Sequence, residues 1–477
     1  MENHFINGKT SAPANGQYIR VYSPIDGTVL AEVARGNHAD IQHAINSAKY
    51  ALLNTWGHKS ALERGRILTQ IGLLTRSSLE VLAKVEADDT GKPIALARKD
   101  IEALARYFEF YGGATDKIHG EVIPYLEDHS VSVINEPFGI VGHIIPWNYP
   151  AQMLGRTIAP ALAMGNVSIV KPSEEACLTS LKFAELAIEA GLPPGALNIV
   201  TGYGHEAAHS LCSHPELNMV TFTGSPQVGV QIQTEAAKNH IKCVLELGGK
   251  SPQIIFEDAD LDRAVLSVVN GIIQNAGQTC SASSRVLVQR SISQKVQSLL
   301  KERFNNLKAG PSETSSDCGP IITRKQYDFV KKAIMDSKGK GVPVIGEGSI
   351  DDISCVSGNF VAPIIFGPVS ETEFLAKEEI FGPVLALLEF DDENEAAAIA
   401  NNTDYGLVAA VWTENGARQH RMAMKIKSGQ VFINCFGAGG GVELPFGGVK
   451  KSGHGREKGI AALKEFCTTK TIINHYK

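Results

Sequence analysis

Cys280 stands in the run Asn275-Ala276-Gly277-Gln278-Thr279-Cys280-Ser281. Small and glycine residues beside a thiol let another molecule approach it closely. Taken singly, a cysteine is more often a buried packing residue. A thiol nucleophile also needs a base and a partner for the oxyanion it creates. Glu246 ends an apolar run just before Gly248-Gly249. A carboxylate there is partly desolvated, which raises its pKa toward that of a useful general base. Asn148 lies in Pro146-Trp147-Asn148-Tyr149-Pro150, between two prolines. A fixed amide N–H₂ suits an oxyanion, and a local turn bond is the plainer alternative.

A second group of residues suits a nucleotide. Lys171 can bind a ribose hydroxyl or a phosphate, and Glu174 can accept from both hydroxyls of an adenosine ribose. A helix-capping Ser173–Glu174 pair fits the same residues. Gly224-Ser225-Pro226-Gln227-Val228-Gly229 falls between a strand and a helix, where a helix N-terminus can face a pyrophosphate. It is not G-x-G-x-x-G, so alone it is a weak signal. His205-Glu206-Ala207-Ala208-His209 matches H-E-x-x-H. Its helix is short, ends by His214-Pro215 and has no third ligand at the usual spacing. These histidines are therefore expected at a surface or a cap, with no metal.

The elements that must hold these residues follow a βαβ rhythm. Strands are expected at Ile140–Ile145, Val167–Lys171, Leu197–Thr201, Met219–Phe222 and Cys243–Leu247. Helices are expected at Gln152–Met164, Thr179–Ala190, Glu206–Ser213 and Val228–Asn239. Such alternation predicts a parallel sheet, with ligands beyond the carboxyl ends of its strands. Five successive strands end in polar, charged or glycine residues, which predicts one concave site. Upstream, the first hundred residues read mostly as helices: one capped by Asn37, one long amphipathic stretch from Ser60 to Ala87 stopped by Gly91-Lys92-Pro93, and one from Ala97 to Gly112. Val122–Tyr125 and Ser130–Ile134 read as a hairpin. A second α/β region begins near Ser251, with a helix Leu261–Asn275 leading to Cys280. Asp336–Asn359, rich in Gly, Ser, Asp and Lys, reads as a surface excursion, and Phe466–Tyr476 as a strand.

Length allows two or three compact units. Lys and Arg number 45 against 51 Asp and Glu, so the chain lacks the basic footprint of a nucleic-acid binder. The eight cysteines are all more than thirty residues apart, which argues against a zinc ribbon or a disulfide scaffold and suits a reducing compartment. No signal peptide or membrane span is legible, so a cytoplasmic location without membrane association is expected.

Seven motifs together resemble the NAD(P)-dependent aldehyde dehydrogenase superfamily. They are Pro146-Trp147-Asn148, Lys171-Pro172-Ser173-Glu174, Phe222-Thr223-Gly224-Ser225, Glu246-Leu247-Gly248-Gly249-Lys250, Gly277-Gln278-Thr279-Cys280, Glu378-Glu379-Ile380-Phe381-Gly382-Pro383 and Pro445-Phe446-Gly447-Gly448. They stand in the family's order over nearly the whole chain. The resemblance implies a Rossmann-like cofactor domain (1–118 and 138–247), an α/β catalytic domain (248–449) and a small β bridging element (119–137 and 466–477) that pairs with another subunit in a homodimer or homotetramer. It implies Cys280 as nucleophile, Asn148 and the Cys280 backbone N–H at the oxyanion, and Glu246 as the base that hydrolyses the thioester. Ile144, Trp147, Lys171, Ser173, Glu174, Gly204, Phe222, Gly224, Ser225, Val228, Leu247, Gly248, Glu379 and Phe381 would line the cofactor cleft. Glu174 favours NAD, with NADP as a second acceptor, because a carboxylate repels a 2′-phosphate.

For the aldehyde itself, Tyr149, Arg156, Gln274 and Phe446 would line the tunnel. Arg156 suggests a substrate with a carboxylate or polar far end, a semialdehyde or a polar aromatic aldehyde. An arginine bonded to a neighbouring carboxylate is the competing reading. Semialdehyde-type members resemble this chain at Arg156 but usually carry a second arginine where Gln274 stands. Two rival activities remain: a CoA-acylating dehydrogenase, against which Glu246 argues, and a cofactor-free cysteine (thio)esterase, which leaves Lys171, Glu174 and Glu379 unexplained.

Overall fold

Short apolar runs separated by capped helices fold into two large sheets. The computed structural model describes residues 1–311, 316–351, 358–437 and 441–476. The first sheet has eight strands. Its centre is parallel, in the spatial order Leu197–Ile199, Val167–Pro172, Ile140–Ile145, Met219–Thr223, Lys242–Glu246. The chain starts in the middle, moves to one side and then crosses to the other. Its direction of winding therefore reverses between Ile140–Ile145 and Met219–Thr223. In doubly wound sheets that reversal opens a crevice at the carboxyl ends of the two strands. The loop carrying Asn148 and the loop carrying Gly224 and Ser225 start there. His4–Ile6 and Lys9–Ser11 close one edge, and Gly453–His454 pairs antiparallel with Leu245 and Glu246 on the other.

The five expected strands are present within one or two residues of their expected ends. Three expectations are incomplete. The first hundred residues include four strands, His4–Ile6, Lys9–Ser11, Tyr18–Tyr22 and Val29–Ala34, joined by tight turns at Asn7-Gly8 and Gly27. The stretch from Ser60 is two helices, Ala61–Ser77 and Leu79–Thr90, because Ser78 leaves the helical track. Gly91 ends the second in the left-handed conformation that glycine tolerates best. The region Asp336–Asn359 is not only an excursion: it holds the end of helix Arg324–Gly339 and the strands Val344–Glu347 and Ser349–Ile350. Residues 352–357 of it, with Cys355, lie outside the described residues.

The second sheet has seven strands, parallel except Val344–Glu347 at one edge. Its centre is Val384–Phe390, Arg285–Gln289, Pro252–Ile255 and Val408–Trp412, all deeply buried. Continuous apolar strands of this kind are expected where helices cover both faces. The helix before Cys280 spans Leu261–Ile273, two residues shorter than expected. A third, three-stranded sheet joins Glu121–Ile123, His129–Pro137 and Cys467–His475. The tail strand pairs antiparallel with His129–Pro137 over nine residues of its own chain. Among the described residues no helix is long and apolar enough to cross a membrane.

Candidate active site

Cys280 is aimed by a kink. After Ile273 the backbone turns through three successive left-handed residues, Asn275, Ala276 and Gly277, at φ 49°, 54° and 75°. Two of the three are not glycine, so the bend is strained and must be held from outside. Gln278 does part of this. Its buried side chain donates to the carbonyls of Asn275 (3.0 Å) and Pro320 (3.1 Å) and accepts from the Ile322 N–H (3.0 Å). Gly249 lets the chain after Glu246 press against the Cys280 carbonyl, where a Cβ would sit 2.3 Å from that oxygen. Cys280 packs against the apolar group Leu407, Val408 and Phe446, against which Phe432 and Phe436 also lie. Burial pushes the thiol up to about 12, only partly offset by Arg156.

Asn148 reaches the same place from the first sheet. Its Nδ2 donates to the Gln278 carbonyl at 3.0 Å, and its Oδ1 has no hydrogen-bond partner among the described residues. Its own carbonyl accepts from Asn275 Nδ2 (3.0 Å) and from Lys92 Nζ (3.1 Å). Tyr149 bonds the Thr279 hydroxyl at 2.7 Å. Lys92 was legible only as part of a helix stop. It is buried between Asp100 (2.5 Å) and Glu86 (3.4 Å), 4.7 Å from the Tyr149 ring centroid.

Glu246 ends its strand 1 % exposed, with no hydrogen-bond partner for either oxygen among the described residues. Burial raises its pKa well above the carboxylate range, with Glu457 adding to the rise and Arg156, Arg456 and Lys458 opposing it. Arg156, 5 % exposed, forms an ion pair through Nε with the buried Glu457, and its Nη2 lies 3.5 Å from Glu246 Oε2. Its guanidinium also sits 4.2 Å from the Phe446 ring centroid. Lys458 lies over the same ring at 5.4 Å, in a backbone conformation (φ 64°) that residues other than glycine rarely adopt. Burial pushes its ammonium down to about 7. Glu457 and Lys458 follow Gly455-Arg456, a charged run in a glycine context that went unread in the sequence.

The nucleotide residues gather at the crevice. Lys171 Nζ bonds Glu174 Oε2 at 2.6 Å. Burial of Glu174 opposes its charge, yet Lys171 and nearby backbone N–H groups, Gly204 among them, hold its pKa below the usual value. Ser225 caps the helix Pro226–Ala237 by accepting from the Val228 N–H, so both expected ribose-side groups and a helix N-terminus share one rim. Ile144, Phe222 and Leu247 are buried beneath it, Ser173 is half-buried and Val228 is exposed. Glu379 comes from the second sheet's side, accepts from the Gly249 N–H at 2.9 Å and packs against Gly248. Burial pushes its carboxyl up to about 7. Phe381, at φ 53°, meets Trp147 edge to face at 5.5 Å. These donors and acceptors, spread along a doubly wound crevice, fit a dinucleotide. Gln274 is half-buried, and its carbonyl lies 3.5 Å from the Thr279 hydroxyl.

The H-E-x-x-H histidines are both exposed on a π-type turn (Gly204–Ala208) and a four-residue helix. No cluster of three metal-ligating side chains occurs among the described residues.

A profile of the aldehyde dehydrogenase family matches residues 11–472. The chain belongs to this family. The NADP/NAD-dependent aldehyde dehydrogenase PuuC of Escherichia coli is 38% identical over 98% of this chain and 94% of its own. A crystal structure of a candidate aldehyde dehydrogenase from Burkholderia cenocepacia superposes with a TM-score of 0.98 at 52% identity, covering all of both chains. The betaine aldehyde dehydrogenase of Staphylococcus aureus, solved with NAD+, superposes at 0.97 with 34% identity over all of this chain and 95% of its own. As an aldehyde dehydrogenase, the chain has its cysteine loop and its asparagine loop on different sheets. The candidate site therefore draws on both, joined by the Asn148–Gln278 hydrogen bond.

Proposed function

We propose that the chain oxidises an aldehyde to a carboxylic acid with NAD+ and water, through a thioester on Cys280. The observation that carries this is the convergence of Cys280, the Asn148 amide and a buried Glu246 without a hydrogen-bond partner among the described residues, beside the crevice that holds Lys171, Glu174 and Glu379. The helices before residue 118 and the first sheet would form the cofactor-binding part, residues 248–449 the part carrying Cys280.

Cys280 loses its proton to water and adds to the carbonyl carbon as a thiolate, and the new S–C bond makes the carbonyl oxygen an oxyanion. Asn148 Nδ2 and the Cys280 backbone N–H stabilise that charge as it develops. Bound NAD+ supplies the hydride acceptor. Lys171 and Glu174 would hold its adenosine ribose, Glu379 its nicotinamide ribose, and the N-terminus of Pro226–Ala237 its pyrophosphate. Loss of hydride leaves a thioester. Glu246 then takes a proton from water as the water attacks, the C–S bond breaks, and the carboxylic acid leaves. A base so placed supports hydrolysis over transfer to CoA.

Of the two substrate classes, the polar aromatic aldehyde is better supported. Cys280, Phe432 and Phe436 all pack against the buried group Leu407, Val408 and Phe446, so the surface around the cysteine is apolar and partly aromatic. Arg156 already faces two carboxylates, and the position of a second arginine is held by uncharged Gln274. An aldehyde panel of benzaldehyde, 4-hydroxybenzaldehyde, succinic semialdehyde and betaine aldehyde, followed by NADH absorbance, tests this. Aromatic aldehydes should give the highest kcat/KM, and Cys280→Ala should lower it at least 10³-fold, on the order of losing the nucleophile of a covalent catalyst. Full activity in Cys280→Ala overturns the thioester route.

A further inference from the structure

We propose that Arg156 is a positioning residue for Glu246 rather than a receptor for the substrate: its guanidinium, tethered by Glu457, holds the base in its reactive, ionised form. The inference rests on Glu246 being the hydrolytic base. Arg156 is shared by two buried carboxylates, paired to Glu457 and 3.5 Å from Glu246. Neither Glu246 oxygen has a hydrogen bond among the described residues, so nearby cations must favour its charged form, and Arg156, at ion-pair distance, does so more than Arg456 or Lys458. A buried carboxylate without a cation neutralises itself by taking up a proton.

The arrangement is built rather than incidental. Arg156 lies on the helix Pro150–Ala163, whose start carries Tyr149 beside Asn148. Phe446 and Glu457 exchange two backbone hydrogen bonds, at 2.7 and 2.8 Å, which seats Glu457 beside the ring on which Arg156 stacks. Gly447, next in the chain, presses so closely on Glu246 that a Cβ would come within 2.8 Å of Oε1. The other groups bearing on Glu246 are Arg456 and Lys458 beside Glu457, and Cys280 across the pocket. Tyr107, on the helix Ile94–Gly112, faces Arg156 and Glu457. Glu457 serves two ends: it fixes the guanidinium, and its charge tempers how strongly Arg156 draws the proton from Glu246.

The test is the pH dependence of thioester hydrolysis in the full-length enzyme. It is followed in single turnover as NADH formation against acid release, with the aldehyde of highest kcat/KM from the panel. Arg156→Met should keep the NADH burst and slow acid release by tenfold or more at pH 7. Its rising pH limb should move upward by a unit or more, because the base then ionises only at higher pH. Glu457→Gln should move the same limb downward, since a negative neighbour is gone. Arg156→Lys should restore part of the rate. Opposite shifts from two substitutions at one ion pair are not expected of a merely structural role. If Arg156→Met fails to fold, the downward shift in Glu457→Gln carries the test. The proposal is overturned if Arg156→Met, or Glu457→Gln alone, leaves the limb in place. It is also overturned if Arg156→Met raises KM tenfold for succinic semialdehyde alone. Failure of the parent reading is distinguishable, since Glu246→Gln would then still release acid at the wild-type rate.

Discussion

At the scale of the residue, charge placement decides more than residue type. Lys171 and Glu174 form a tight pair at the end of one strand, and the partly buried glutamate is held ionised. An ionised carboxylate at a ribose edge repels a 2′-phosphate, and in a partly buried site the repulsion is weakly screened. The expected outcome is a preference for NAD+ over NADP+ in kcat/KM. Glu174→Ser should shrink that ratio about tenfold, a change of about 1.4 kcal/mol, mainly by improving KM for NADP+. Initial rates with both cofactors check this, and a wild-type preference for NADP+ would refute it. Cys280, Glu246 and Asn148 were legible in the sequence because each stands in a glycine or proline context at a strand or helix end. The partner Glu457 was not, because it is three hundred residues from Arg156 and is brought near by the pairing of Gly453–His454 with Leu245 and Glu246 and of Glu457 with Phe446.

Between elements, the asparagine loop is held from below. Lys92 sits at the junction of helices Leu79–Thr90 and Ile94–Gly112 and donates to the Asn148 carbonyl, Asp100 and Glu86. Asp100 also accepts from Gln152 at 2.6 Å, and Glu86 from the Ala151 N–H at 3.4 Å. The start of the helix that carries Arg156 is thus tied to two others through one ammonium. Lys92→Met keeps the chain length but leaves Asp100 and Glu86 buried without a cation. Breaking a buried pair in this way costs about 3–5 kcal/mol. The expected outcome is a lower midpoint of urea unfolding, together with a fall in kcat larger than any change in KM for NAD+. An unchanged midpoint would mean that the cluster carries no such load. The sequence showed Gly91-Lys92-Pro93 as a stop signal, which is correct for the backbone and silent about the side chain. The N-terminal strands went unread for a related reason: they are three to six residues long, too short for a period of two to stand out from neighbouring helical patterns. The five-strand alternation from 140 to 246 was readable because each strand is a continuous apolar run flanked by a polar or glycine end.

At the scale of the whole molecule, the small sheet is the part that a single copy does not explain. The strand Cys467–His475 covers one edge of His129–Pro137 and leaves its own far edge open, with Ile472 and Ile473 44% and 62% exposed. Val122 on the same sheet is 84% exposed, and Tyr125 and Tyr476, just beyond the ends of its strands, are 65% and 60% exposed. Apolar side chains gathered on one exposed sheet with an open edge mark an interaction surface. The site itself lies where the two large sheets meet, so association need not contribute a residue to it. The expected outcome is that the wild-type chain sediments as a dimer or tetramer at micromolar concentration. Ile473→Lys, a charge placed on an exposed strand face, should shift it toward monomer with little loss of secondary structure. Sedimentation velocity and circular dichroism on the same samples check both halves. A wild-type monomer, or an Ile473→Lys variant whose assembly is unaltered, would place the contact elsewhere and leave the exposed sheet without an assigned role.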